Sequence, residues 1–307
     1  MASLNIVSYN LHGFNQGVHL LVDLCNQFDV IFVQEHWLSS DQLNKLDSLS
    51  SDFICFGKSA MDVVCSSDIL RGRPFGGIAT FINRKYSQHL KLVVAEPNFL
   101  VVQCCGTLLI NVYFPCCTNS PAYHNTLCDI CTAIGQVIDS NDDMPIVLPG
   151  DMNFEFSNRN SGFQIFKQWF EDFKMSAVLL DVDSPTAYTY DSSTGRSCVH
   201  YVVVSNDFLH SVSPTHTIDS GNNLSGHLSI ATQVLVSPSV TCNSRNSLKC
   251  DETLRMRWDK ANLPAYYNTT YENVYAVADM ECLEITVACI VTVVLTHSLL
   301  RVTGCGS

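Results

Sequence analysis

The feature that most restricts this chain is a series of short apolar runs rich in Val, Ile and Phe, several of which follow one another with no helical stretch between them. They are Leu4 to Tyr9, Val30 to Gln34, Gly77 to Ile82, Phe99 to Cys104, Leu108 to Phe114, Ile146 to Leu148, Tyr201 to Ser205 and Leu228 to Val236. Runs of this length, bounded by turn residues, read as buried strands. Helical periodicity joins Val18, Leu21, Val22 and Cys25, and again Tyr123, Leu127, Ile130, Cys131, Ile134, Val137 and Ile138. Parallel neighbours need a crossover connection of about a dozen residues or more. The strands between Gly77 and Phe114 are too closely spaced for that. A purely parallel doubly wound sheet is therefore excluded, and two packed mixed sheets with helices outside are expected.

With 307 residues, 47% of them hydrophobic and 15% charged, the chain can bury a sizeable core. Its formal net charge of -12 is the wrong sign for a basic groove that neutralises phosphates. Any contact with nucleic acid is expected to be local or bridged by a cation, and a carboxylate site holding Mg²⁺ would supply that bridge. The start MASLNIVSYN lacks the charged and apolar regions of a secretory signal, so the 15 cysteines are expected as reduced thiols in a protein that is nuclear or cytoplasmic, not secreted. Neither the pairs Cys104-Cys105 and Cys116-Cys117 nor Cys128-x-x-Cys131 makes a four-ligand zinc pattern. The polar stretch from Ser237 to Asp251 reads as a linker, which divides the chain into a domain over 1–236, a linker over 237–255 and a tail over 256–307. In the tail, Ile285 to Leu295 is apolar but shorter than the roughly 20 residues that span a bilayer. It is expected as a buried or edge strand, or an exposed tail, and no membrane partner is expected.

Polar clusters sit at the ends of four of the apolar runs: Ser8-Tyr9-Asn10, Gln34-Glu35-His36-Trp37, Gly150-Asp151-Met152-Asn153 and Ser225-Gly226-His227. Strand ends are where open α/β sheets gather their sites. Each cluster alone has an ordinary reading: Asn10 as a turn former, Glu35 as a solvated cap, Gly150-Asp151 as a turn, Tyr113 as a sheet aromatic, and His227 as a satisfied histidine. In chain order, however, SYNLHG, VQEHWL, PFGGIA, NVYFP, PGDMNFEF, RSCVHYVVVS and LSGHLSI resemble the signature of the endonuclease/exonuclease/phosphatase (DNase I-like) superfamily. QEHWL, the loop from Pro74 to Gly77 and AYTYDSSTGRSCVHYVVVS are similar to its non-LTR retrotransposon, AP-endonuclease-like branch.

The resemblance implies a four-layer α/β sandwich of two mixed sheets flanked by helices, and a DNA-nicking phosphodiesterase dependent on Mg²⁺, with Mn²⁺ able to replace it. By the same resemblance Glu35 is the principal metal ligand, supported by Asn10, a hard donor suited to a hard cation. Asp151 positions and activates the attacking water, Asn153 holds the phosphate, Tyr113 donates to a phosphate oxygen and His227 contacts the scissile phosphate. Arg71 and Arg73, with Arg84 and Lys85, are the cations available for DNA phosphates near the Pro74 loop.

Two central positions depart from the pattern. An Asp is expected before Tyr201, where this chain has His200, and another before His227, where it has Gly226. The resemblance gives the carboxylate at 226 the task of orienting His227, and the one at 200 a metal- or water-binding task. By analogy with a hydrolytic triad, losing the orienting carboxylate costs on the order of 10⁴ in rate. His200 is a poor replacement, because two imidazoles repel when both are protonated and mismatch their hydrogen bonds when neutral. His12 is a milder departure, at a position where some family members are acidic. The expectation is an intact fold with impaired nicking, a decayed mobile-element copy: Trp258-Asp259-Lys260-Ala261 resembles a polyprotein junction, and nothing after it is long enough for a polymerase. The alternatives are a non-catalytic relic or nucleic-acid-binding module with the same fold, and a phosphatase of the same superfamily.

Overall fold

The computed structural model describes residues 2–61, 73–116, 118, 120–156, 161–193 and 195–236. Arg71, the expected linker and the expected tail lie outside the described residues. In chain order the main elements are β1 (Ala2–Asn10), α1 (Phe14–Cys25), β2 (Val30–Gln34), the short α2 (Asn44–Asp47), β3 (Phe53–Lys58), β4 (Ile78–Asn83), β5 (Leu90–Ala95), β6 (Phe99–Cys104) and β7 (Thr107–Tyr113). They continue with α3 (Pro121–Asp139), β8 (Ile146–Asp151), α4 (Ser161–Asp172), β9 (Met175–Ala177), β10 (Tyr190–Ser192), β11 (Gly195–Ser197), β12 (His200–Ser205), β13 (His216–Ile218) and β14 (Ser229–Val236).

Two six-stranded sheets form, in the orders β13-β14-β1-β2-β4-β3 and β5-β6-β7-β8-β12-β9, with β10-β11 as a separate hairpin. Each large sheet holds one parallel pair at its centre, β1 with β2 and β7 with β8, and its other neighbours are antiparallel. The helices α1 and α3 lie in the two connections between parallel partners, which is the crossover that such pairing requires.

Strand alternation builds the layers. Leu4 and Ile6 of β1 enter a core between the sheets with Val30, Phe32, Leu109, Val147, Val202 and Ile230. The opposite face of β1, Val7 and Tyr9, packs on Leu20, Leu21 and Leu24 of α1. Leu108, Ile110 and Leu148 on the outer face of the second sheet meet Leu127, Ile130 and Ile134 of α3 and Phe166 and Trp169 of α4. The result is the expected α/β four-layer sandwich, two mixed sheets flanked by helices.

The same alternation turns polar residues into the inter-sheet layer toward one end of the strands. Ser8, Asn10, Gln34, Asn111, Asp151 and His200 are all buried there. Gln34 Nε2 donates to Asn111 Oδ1 at 2.7 Å and lies 3.1 Å from Ser8 Oγ. Asn111 Nδ2 donates to the carbonyl of Ala79 at 2.8 Å, so strands of both sheets share one polar network. A buried amide network is stabilising only while every member stays paired. Asn111→Ala, which strands the Gln34 amide and the Ala79 carbonyl, is expected to lower unfolding free energy by about 2–4 kcal/mol in urea titration.

Candidate active site

The carboxyl ends of the two parallel pairs meet across the sandwich. β1 ends at Asn10, β2 leads directly into Glu35, β7 ends at Tyr113 and β8 ends at Asp151. Asn10 Nδ2 donates both to Glu35 Oε1 and to Asp151 Oδ2, each at 2.8 Å. Its Oδ1 accepts the backbone N–H of His12 at 2.9 Å, which fixes the amide orientation. Asn10 therefore turns nitrogen, not oxygen, toward the carboxylates. It spaces and holds them.

Glu35 sits in a constrained loop. His12, Glu35, Trp37 and Asn153 have φ of 48°, 54°, 56° and 54°, left-handed values for residues with a Cβ. Such positions cost about 1–3 kcal/mol each and persist only where the surroundings over-determine them. Here the backbone N–H of Gly13 donates to the carbonyl of Glu35 at 2.8 Å, while Glu35 N–H donates to Gly77 and Trp37 N–H to Gly76 at 2.8 and 2.9 Å. A Cβ on Gly77 would stand 2.4 Å from the His36 ring, so the Pro74 to Gly77 loop can press against the Glu35 loop only with glycine there. Trp37 Nε1 donates to Glu35 Oε2 at 3.0 Å, and Arg73 lies over the Trp37 ring at 4.0 Å.

Asp151 is fully buried. It accepts the backbone N–H of Asn153 through Oδ1 at 2.9 Å, yet burial still pushes its carboxyl up to about 6. Asn153 Nδ2 donates to the carbonyl of Phe114 at 2.8 Å. Burial, then the nearby charges of Glu35 and Asp151, push the Tyr113 hydroxyl far above its ordinary range and keep it a donor.

His227 Nδ1 lies 3.1 Å from His200 Nε2, and these atoms stand 3.9 and 3.7 Å from Asp151 Oδ2. Burial holds His200 down to about 3, and burial together with His200 holds His227 down to about 4. At neutral pH both rings are uncharged, and neither contact with Asp151 is an ion pair. The position that orients His227 is thus 200, not 226 as expected, and His227 is not left loose. Ser225 Oγ accepts its backbone N–H at 3.1 Å and donates to the carbonyl of Asn10 at 3.0 Å. Gly226 instead packs against the β10-β11 hairpin, its carbonyl accepting Asp191 N–H at 2.8 Å.

The chain matches the endonuclease/exonuclease/phosphatase family over residues 7–226. It belongs to that family. No curated protein sequence matches it. Among solved structures it is similar to an AP endonuclease from Leishmania major at 11% identity and TM-score 0.60, covering 76% of this chain and 87% of that one. A 3′ phosphatase from Neisseria bound to product DNA hairpin gives 15% and 0.58, over 75% and 99%. The endonuclease domain of a telomere-specific non-LTR retrotransposon gives 12% and 0.54, over 76% and 98%. At these identities the likeness is one of fold.

Family membership and a buried group of ligand atoms from Asp151, His200 and His227, all within 4.8 Å of one another, give the chain the potential for metal-dependent phosphodiester hydrolysis. The carboxylates of Glu35 and Asp151, hard donors in type, are held by one amide. Ligation by both imidazoles would replace their mutual hydrogen bond. Of the expected cations among the described residues, Arg73 alone is seen beside this centre. Arg84 Nε donates to the carbonyl of Ser51, and Lys85 pairs with Asp29 just before β2 begins, at the opposite end of that strand from Glu35. Sequence reasoning gave no task to Trp37, Thr189, Gln34 or Asn111. For the last two, a polar residue at an inward-facing strand position was the available signal. Among the described residues no helix is long and apolar enough to cross a membrane.

Two measurements check this picture. His36 accepts Leu38 N–H at Nδ1 (3.0 Å), its Nε2 lies 3.1 Å from the Lys58 carbonyl, and burial holds it down to about 4. Like His200 and His227 it binds protons less readily folded than unfolded, so stability is complete above about pH 6.5 and is lost as pH falls. From pH 7 to 5 His36 alone should remove about 2 kcal/mol, while the raised Asp151 returns about 1 kcal/mol. Urea titrations at the two pH values should show net destabilisation at pH 5, and equal midpoints and slopes would contradict it. A Cβ at 226 would lie 2.9 Å from the Asp191 carbonyl, so Gly226→Asp should lower the melting temperature, by about 1–3 kcal/mol of overpacking.

Proposed function

We propose that this family member is a DNA strand-nicking endonuclease of the non-LTR retrotransposon type, dependent on Mg²⁺ or Mn²⁺, with turnover reduced by His200. The observation that carries the reading is convergence. Asn10, Glu35, Tyr113, Asp151, Asn153 and His227 come from separate segments and gather at the carboxyl ends of both parallel pairs. Glu35 and Asp151 would hold the cation, which when bound would supply Lewis-acid polarisation and offset charge on the phosphoryl oxygens. Asp151, held by the Asn10 amide and the Asn153 N–H, is placed to accept a water proton. Tyr113 and Asn153 donate to phosphate oxygens, and His227 meets the scissile phosphate. The domain over 1–236 carries this chemistry. Trp37 with Arg73 over its ring forms a cationic, aromatic rim beside Glu35 that suits a DNA strand. A nuclear location follows from a chromosomal substrate.

The neutral His200 favours one second reading, a binding module that keeps the fold and has lost turnover. Supercoiled-plasmid nicking separates the two. With Mg²⁺, His200→Asp should nick faster than the unsubstituted chain by on the order of 10²–10⁴, and Asp151→Ala in that background should abolish the gain. No nicking by His200→Asp would support the binding module. Equal rates for both proteins would show that His200 is tolerated.

A further inference from the structure

The hydrogen-bond capacity of Thr189 decides how the two buried histidines carry their protons. Thr189 Oγ1 accepts the backbone N–H of Val199 at 3.0 Å and of His200 at 3.1 Å. A hydroxyl has two acceptor lone pairs and one proton. Both lone pairs are therefore taken, and only the proton remains for His200 Nδ1, 2.9 Å away. The sulfur of Cys198 is also within reach of that hydroxyl, but sulfur is a weak acceptor. The Thr189 carbonyl also borders the His200 ring but already accepts Leu228 N–H, and the group within hydrogen-bond distance of Nδ1 is the hydroxyl. His200 Nδ1 therefore accepts, and a neutral imidazole that accepts at one nitrogen donates at the other. Its Nε2–H points to His227 Nδ1 at 3.1 Å, which must accept in turn. Thr189, His200 and His227 are all buried, so no solvent competes along the relay. The backbone closes the same unit, because Leu228 N–H donates to the Thr189 carbonyl at 2.8 Å.

We infer that Thr189, acting through His200, fixes His227 as the Nε2–H tautomer, so that the ring edge opposite His200 is a hydrogen-bond donor and Thr189 is a positioning residue. An Asp at 200 would do the reverse. An ionised carboxylate only accepts, so it would draw the proton to His227 Nδ1 and leave Nε2 as an acceptor. The substitution at 200 thus changes what His227 offers, from acceptor to donor, while its place is kept. The statement that this edge meets a phosphate rests on the proposed function; the tautomer does not.

The test is long-range ¹H–¹⁵N correlation of histidine-labelled full-length chain at neutral pH with chelator and no substrate, with His200→Asp and His227→Gln assigning the signals. In the unsubstituted chain both rings should show the Nε2–H pattern. His200→Asp should convert His227 to Nδ1–H, Thr189→Ser should keep the original pattern, and Thr189→Val should give His200 a mixed one. An Nδ1–H pattern at His227 in the unsubstituted chain would overturn the inference, and so would an unchanged His227 in His200→Asp. The unsubstituted spectrum decides even where Thr189→Val does not fold. Because neither DNA nor metal is present, failure of plasmid nicking leaves this result standing, and the reverse also holds.

Discussion

One amide holds the centre of this protein together. Glu35 arrives from the first sheet and Asp151 from the second, and two carboxylates brought this close repel in a medium of low polarity. Asn10 donates one proton to each. That amide stands between the charges where the two sheets meet, and the inter-sheet layer below it is also polar. Ser8, Gln34 and Asn111 continue the pairing inward until the apolar core of Leu4, Ile6, Phe32 and Leu109 takes over. The strained backbone at His12, Glu35, Trp37 and Asn153 is local to this junction: main-chain bonds from the glycine loops hold Glu35 and Trp37, and the Asn10 and Asp151 side chains accept the N–H groups of His12 and Asn153.

The residue at position 200 bears directly on the electrostatics of that centre. A carboxylate there would place a negative charge beside His227 and favour its protonated form. His200 instead is buried and uncharged, and it lowers the proton affinity of His227 further. Burial is the largest influence on Asp151 and raises its carboxyl, while His227, Asn10 and the Asn153 N–H act in the opposite direction. The chain keeps the family fold, and His200 bears on the protonation of its neighbour His227.

Much of the architecture was readable in the chain because strand alternation and helical period are local signals. Val30–Gln34 and Phe99–Cys104 match the apolar runs to the residue, and the two periodic stretches are α1 and α3. The elements that escaped are those whose stability comes from neighbours. β5 is an edge strand with Lys91 and Leu92 exposed, and β3 holds Gly57 and Lys58 and is also at an edge. α4 did carry a signal, Phe166, Trp169 and Phe170, but it is short.

The sequence by itself determined the sandwich and the family, since ordered motifs at strand ends need no coordinates to be recognised. It also named the residues that gather at the centre. Only the tertiary structure decided what each one does there. Which nitrogen Asn10 presents, which position orients His227, and that Arg84 and Lys85 belong to the far end of the sheet all depend on distances between segments far apart in the chain. Charge and hydrogen-bond direction are set by such distances, within about 3 Å. A pattern along the chain records which residues are present, while their protons are placed by neighbours that the pattern does not contain.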